Sequence, residues 1–245
     1  MTNIQFHSDR DSLAESVARQ FIESGVDAIQ KKGIFSTALA GGSTPKAAYE
    51  LLSSSEFATQ LDWSKVQIFW GDERCVPPDH PDSNYLMTYE TLIKKIPIPA
   101  ENVHRIQGEL EPSEGAKKYE EEIRTYLGET PQLDLVLLGM GDDGHTASLF
   151  PGTKPIYENT KLAAATYVQK LSSWRITLTP VMINQALNIT FIVAGANKAQ
   201  TLRQVLEGKY NPNVYPSQII HPIAGSLTWL IDDAAGQYLE RYKTK

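Results

Sequence analysis

Four uninterrupted apolar runs, each closed by a polar turn that carries glycine, constrain this chain more than any other feature. Residues 34–40 lead into Gly41-Gly42-Ser43-Thr44-Pro45, and residues 66–70 into Gly71-Asp72-Glu73-Arg74. Residues 133–138 lead into Gly139-Met140-Gly141-Asp142-Asp143-Gly144-His145, and residues 189–194 into Gly195-Ala196-Asn197-Lys198. Apolar runs of this length suit strands covered on both faces, as in a parallel sheet. Parallel strands present their carboxyl ends at one edge of the sheet, where ligands bind. Hydroxyls, carboxylates, an arginine, a histidine and a lysine from distant parts of the chain are therefore expected to converge on one site for a small, polar, anionic substrate.

The spacing of the remaining apolar residues supplies the helices. Leu13, Val17, Phe21, Ile22 and Ile29 recur at helical intervals after a short apolar start near residues 4–6. Thr44 reads as an N-cap and Pro45 as the first helical residue of a helix reaching Leu52, because proline lacks the N–H that would be unpaired there. Further helices are expected over 84–94, 113–127, 180–186 and 198–206, with strands at 162–168 and 175–178. The tail, residues 224–239, reads as a helix. Alternating strands and helices give an α/β sandwich with a mostly parallel sheet. The chain of 245 residues has no Gly/Ser linker, charge block or internal repeat, so residues 1–245 read as a single α/β domain.

Composition narrows the classes of function. The net charge of -6 argues against a nucleic-acid partner, because a phosphate backbone attracts basic surfaces. An anionic small molecule remains compatible, since a local pocket can be positive on an acidic protein. Cys75 is the single cysteine, which rules out an intramolecular disulfide and fits a reducing cytoplasm. The opening Met1-Thr2-Asn3-Ile4-Gln5 has no signal-peptide pattern, and no apolar run is long enough for a membrane span. The expectation is a cytoplasmic protein without a membrane partner.

Each turn has its own chemistry. Gly41 and Gly42 let the backbone approach a ligand, the helix start that follows attracts an anion, and the Ser43 and Thr44 hydroxyls can bond phosphate oxygens. The segment is neither a Walker loop nor a dinucleotide fingerprint. Asp72 is a candidate general base and Arg74 a fork for carboxylate or phosphate, although the tetrapeptide alone reads more simply as a surface ion pair. His145 is the strongest candidate, a histidine two residues after Asp143, which can orient its other nitrogen. Arg175 sits in an apolar stretch, and Lys198 follows Asn197 at a helix start, where a cation is unfavourable unless an anion is near. His7, His80, His104, His145 and His221 are scattered, so no metal site and no cofactor is expected.

Together these segments resemble the glucosamine-6-phosphate isomerase/6-phosphogluconolactonase family, on its 6-phosphogluconolactonase side. The resemblance is carried by Ala40 through Pro45, by Trp70 through Arg74 with Val76-Pro77 and Asp82-Ser83-Asn84-Tyr85, and by Leu138 through Pro151. Arg175-Ile176-Thr177-Leu178-Thr179 and the turn from Gly195 to Lys198 extend it, so it spans residues 34–206. It implies a Rossmann-like three-layer sandwich, shared with glucosamine-6-phosphate deaminases and ribose-5-phosphate isomerases. It also implies hydrolysis of 6-phospho-D-glucono-1,5-lactone to 6-phosphogluconate, in the oxidative pentose phosphate pathway. His145 would then activate water, with Asp143 orienting or electrostatically supporting it. The Gly41–Thr44 turn, Arg175 and Lys198 would hold the phosphate, and Arg74 would bind phosphate or polarise the lactone carbonyl. A sugar phosphate is the expected partner, and the chain is expected to be a monomer or weak homodimer.

Two other functions compete. A glucosamine-6-phosphate deaminase would also use an acid at Asp72 and the Asp-Gly-His turn. The deaminase pattern, however, places a glutamate after that histidine to assist ring opening, where this chain has Leu149-Phe150-Pro151. A sugar-phosphate sensor would need a DNA-binding segment, and no basic helix-turn-helix precedes Ile34.

Overall fold

The computed structural model describes residues 2–241. The elements run β1 (Thr2–His7), α1 (Arg10–Lys32), β2 (Phe35–Leu39), α2 (Ser43–Leu52), α3 (Ser55–Ala58), β3 (Val66–Trp70) and β4 (Asp72–Arg74). There follow α4 (Asn84–Thr91), α5 (Pro112–Leu127), β5 (Leu135–Gly139), β6 (Ala163–Val168), β7 (Ser173–Leu178) and α6 (Pro180–Ile183). The chain then forms β8 (Asn188–Val193), α7 (Ala199–Glu207), β9 (Ser226–Asp232) and α8 (Asp233–Gly236).

Six strands make one parallel sheet in the order β1-β9-β8-β5-β2-β3. Every position of β2 and β3 is buried, so helices and loops cover the sheet on both faces and the apolar runs are explained. From β2 the chain moves outward to β3, then returns to β5 on the other side of β2 and continues away through β8 and β9. The direction of winding therefore reverses between β2 and β5, and a ligand crevice is expected beyond their carboxyl ends. The ladder there is short: it joins Thr37 to Leu135 and Ala38 to Val136, whereas β5 pairs with β8 through Gly139. Beyond Ala38 and Val136 the two strands part, and the crevice opens between them.

Gly71 hands the main sheet over to a second, antiparallel sheet of order β4-β7-β6. Its N–H donates to the Leu39 carbonyl at 2.9 Å, and its own carbonyl accepts from Leu178 N at 2.8 Å. A single buried core runs through both sheets and their helices. Among the described residues no helix is long and apolar enough to cross a membrane.

The structure corrects several expectations. The tail over 224–239 is not a helix: Ser226–Asp232 is β9, inserted between β1 and β8, and helix is limited to Asp233–Gly236. All six residues from Leu227 to Asp232 are buried, and burial on both faces removes the period-two signal that would have marked a strand. The helix after β2 begins at Ser43, not Pro45, and its cap is Gly42 rather than Thr44. Gly42 has φ 105°, a left-handed value open to glycine, which turns the chain two residues earlier than proline placement suggested. Asp72-Glu73-Arg74 is a short strand rather than a turn, because β7 pairs with it. The helix expected from Ser113 starts at Pro112, with Glu111 accepting from Glu114 N.

Candidate active site

Two buried tyrosines hold the strand ends that frame the crevice. Tyr49 of α2 donates its hydroxyl to the Ala40 carbonyl at 2.9 Å and accepts from Ala40 N at 3.0 Å. Tyr119 of α5 makes the same pair of bonds to Trp70, both at 2.8 Å. Burial pushes both phenols well above their ordinary values, so each stays a neutral donor and acceptor. The backbone leaving β2 and β3 is thereby fixed just before Gly41 and Gly71.

Glu73, the one residue of the Asp72–Arg74 strand that points into the interior, anchors the next loop. Its carboxylate accepts from Arg74 N, Ser83 Oγ, Asn84 N and Tyr85 N at 2.7–3.0 Å. Burial raises its carboxyl above the usual range despite those four donors. Glu73 thus ties residues 75–83 to the start of α4 and sets Asn84 over the crevice. Asn84 Nδ2 donates to the Asp72 carbonyl at 2.9 Å, and its side chain lies so close to Gly41 that a Cβ there would sit 1.9 Å from Oδ1. A side chain at position 41 would therefore have to displace Asn84. Asp72 itself accepts from Ser148 Oγ at 2.6 Å and from Asn84 Nδ2 at 3.2 Å.

The loop after β5 is folded on its own backbone. Gly141 N donates to the His145 carbonyl at 2.8 Å, Thr146 Oγ1 to the Gly139 carbonyl at 2.8 Å, and Ser217 Oγ to the Gly144 carbonyl at 2.8 Å. His145 Nδ1 lies 2.5 Å from Asp143 Oδ1, the same oxygen that accepts from His145 N at 3.1 Å. The other carboxylate oxygen is bonded by Lys170 Nζ. Burial alone would raise the Asp143 carboxyl, but the bonds from His145 and Lys170 outweigh it and hold the group well below the usual carboxylate range. Phe150 stacks on the imidazole, with centroids 4.0 Å apart and planes 23° apart. A carboxylate on Nδ1 leaves Nε2 as the nitrogen available to take a proton.

The cationic wall comes from the second sheet. Arg74 and Arg175 are directly paired in the register of β4 and β7, and the Nε of each is buried without a hydrogen-bond partner. Burial first, and then the charge of Arg74, depress Arg175 below the ordinary guanidinium value. Arg74 Nη1 donates to the Asp82 carbonyl at 2.5 Å. Like charges opposed across a ladder are unfavourable unless an anion sits between them.

These groups line one crevice of about 450 Å³, with Gly41, Gly42, Asp72, Arg74, His145, Arg175 and Lys198 all on its wall. Asp143 stands behind His145 rather than on that wall. Ser43 and Thr44 occupy the first turn of α2, and Asn197 is exposed on the turn after β8; none of the three lines the crevice. Sequence reasoning assigned no role to Asn84, and Lys170 escaped it altogether. Asn84 was visible within the Asp82–Tyr85 motif, whereas Lys170 reaches Asp143 through the β6–β7 turn and carries no local signal. Among the described residues, no group of three or more His, Cys, Asp or Glu side chains is placed to hold a metal ion.

The chain is similar to known proteins over most of its length. Residues 8–229 match the family described as glucosamine-6-phosphate isomerases/6-phosphogluconolactonase. The chain is 46% identical over 217 residues to a 6-phosphogluconolactonase of Nostoc sp., covering 86% of this chain and 88% of that protein. It is 27% identical to a solved 6-phosphogluconolactonase of Trypanosoma cruzi, with a TM-score of 0.88 over 98% of this chain and 97% of the other. A monomeric glucosamine-6-phosphate deaminase, 21% identical with a TM-score of 0.83 over 97% of this chain and all of its own, shares the fold alone. A family match over most of the chain and 46% identity to a relative covered over most of its length leave one conclusion: this chain belongs to the glucosamine-6-phosphate isomerase/6-phosphogluconolactonase family.

Proposed function

We propose that this protein hydrolyses 6-phosphogluconolactone to 6-phosphogluconate, with His145 as general base. The observation that carries this is the shared crevice: an imidazole with a carboxylate behind it on one wall, two opposed guanidiniums on another. The lactone is an activated ester, so it needs a base for water and donors for the developing oxyanion. His145 Nε2 takes a proton from water as the water oxygen bonds to the lactone carbonyl carbon. The tetrahedral oxyanion then collapses, the ring C–O bond breaks, and the departing oxygen receives the proton from the imidazolium.

Arg175, Lys198 and the amides at the start of α2 hold the phosphate, and the cross-strand pairing supports Arg74 sharing that anion. Asp72, fixed by Ser148 and Asn84, lines the crevice as a hydrogen-bond acceptor for sugar hydroxyls. One continuous core through both sheets supports reading the chain as a single α/β unit, and we expect it to act as a monomer or weak dimer. A lone, half-buried cysteine fits the cytoplasm.

The test is a coupled assay in which the lactone is generated from glucose 6-phosphate and its loss is followed with and without the protein. Hydrolysis should be accelerated above the spontaneous rate. His145→Ala should lower kcat by roughly 10²–10⁴-fold with an unchanged circular dichroism spectrum. Full kcat in that variant would remove His145 from the mechanism.

A further inference from the structure

We propose that Lys170 is a positioning residue for the proton-transfer pair: it grips the second oxygen of Asp143 and shares its charge, so that His145 is oriented yet kept a neutral base. This role rests on the lactonase function proposed above.

Lys170 comes from a part of the fold remote from the His145 loop. It sits on the single turn Gln169–Leu171 that joins β6 to β7, closed by Ser172 at φ 47°. From there its Nζ reaches Asp143 Oδ2 and lies 5.1 Å from the centroid of the Phe150 ring. That ring is the one stacked on His145. Lys170 therefore braces both supports of the imidazole, the carboxylate and the aromatic plate.

The electrostatic consequence is specific. A carboxylate alone behind a histidine favours the imidazolium, and a base that is already protonated cannot accept a proton from water. With the ammonium on its other oxygen, Asp143 still orients Nδ1–H, but the pair presents little net charge to the ring. Other charged groups on the crevice wall are Asp72, Asp142, Arg74, Arg175 and Lys198. Among the described residues none of them bonds to His145 or Asp143, so Lys170 is the cation placed to offset this carboxylate. Lys170 also faces the crevice directly, so the rival role is contact with the substrate's phosphate.

The experiment compares wild type with Lys170→Met and Lys170→Arg in three ways. The His145 ring is titrated by NMR in the free enzyme, kcat and KM are followed against pH, and 6-phosphogluconate affinity is measured by calorimetry. For Lys170→Met the His145 midpoint should rise by about 1 pH unit, as expected on losing an adjacent cation. The acid limb of kcat/KM should move up with it, giving about tenfold lower activity on the acid side. Product affinity should stay within about twofold, and Lys170→Arg should restore the midpoint.

An unmoved His145 midpoint overturns the proposal. So does a tenfold loss of product affinity with an unmoved midpoint, which would make Lys170 a phosphate ligand. If Lys170→Met does not fold, Lys170→Gln is read by the same titration. If the wild type fails to accelerate lactone hydrolysis, the proposed function falls, while the His145 midpoint still decides whether Lys170 controls this pair.

Discussion

Arg74 of β4 and Arg175 of β7 are cross-strand partners, and both keep a buried Nε without a hydrogen-bond partner. Two guanidiniums opposed in this way raise the energy of the free protein, and an anion between them lowers it. Asp72, Glu73 and Asp82 offset part of that repulsion at Arg175.

Arg175→Met should accordingly do two opposite things. It should weaken 6-phosphogluconate binding by roughly 10–100-fold, the worth of charge-assisted bonds. It should leave the free protein about as stable as wild type or more so, because β7 loses a buried cation opposed to Arg74 while keeping most of its side-chain volume. Calorimetry and thermal unfolding of the same preparations read both quantities. Unchanged product affinity would place the phosphate elsewhere in the crevice.

Gly141 tests the geometry of the base. A Cβ at this residue would lie 2.0 Å from His145 Nδ1 and 2.7 Å from Asp143 Oδ1, so the imidazole packs where a side chain would be. Gly141→Ala should push the ring out of line and lower kcat by about 10²-fold, the scale of an ångström-level misplacement. Global stability should fall far less than activity. Wild-type kcat in this variant would show that His145 does not need its observed position.

The tyrosine clamps make a stability prediction. Tyr49→Phe would strand the N–H and carbonyl of Ala40, and Tyr119→Phe those of Trp70, all in buried surroundings. Each substitution should cost about 1–3 kcal/mol in denaturant unfolding, the penalty for unmet buried polar groups. A loss inside the scatter of repeated measurements would mean that water or a backbone shift replaces the phenol.

Acid sensitivity near neutrality should come in part from His104. It is buried between Phe69 and Tyr126, with Nδ1 2.8 Å from Glu122 Oε1 and Nε2 2.6 Å from Gln67 Oε1. Burial lowers its folded value below the ordinary 6.5 in spite of Glu122. The unfolded chain therefore binds the proton first, and stability falls as pH drops from 6.5 toward the folded value. His7 shifts in the same direction, chiefly by burial. Asp143 contributes nothing to this window, because a depressed carboxyl loses stability only below its unfolded value of 3.8. His104→Phe should flatten the stability change between pH 7.5 and 5.5, leaving the share due to His7. Equal slopes in both proteins would exclude His104.

The main sheet was legible because its strands are buried on both faces, which writes them into the sequence as unbroken apolar runs. The same property hid β9: Leu227-Thr228-Trp229-Leu230-Ile231 has no alternation to separate strand from helix, and only its neighbours β1 and β8 decide the matter. Gly41, Gly42, Asp72, Arg74 and His145 were legible since each lies in a segment leaving the carboxyl end of a main-sheet strand, and the parallel sheet gathers such segments at one edge. Asn84 lies in the Asp82–Tyr85 motif, but its place over the crevice is set by the Glu73 anchor, and Lys170 arrives through the β6–β7 turn with no local pattern to mark it. Asn197 shared the strand-end signal, but the turn at Gly195, φ 100°, leaves its side chain exposed.

Phe150 separates lactone hydrolysis from amino-sugar chemistry. By the family resemblance, a deaminase carries at this position the glutamate that assists opening of the pyranose ring. Here the side chain is buried, stacks on His145 at 4.0 Å and lies beneath the Lys170 ammonium. A phenyl ring has no proton to give, and its place against the imidazole is already a supporting one. Lactone hydrolysis needs neither ring opening by an acid nor release of ammonia, so the replacement is harmless to it. Glucosamine 6-phosphate should therefore yield no ammonia under conditions where lactone loss is clearly accelerated. Phe150→Ala should remove the plate beneath His145 and lower lactonase kcat more than it raises KM. Ammonia release at a rate comparable to lactone hydrolysis would require another acid, with Asp142 on the crevice wall the first to examine, and would sink the assignment of this crevice to lactone hydrolysis.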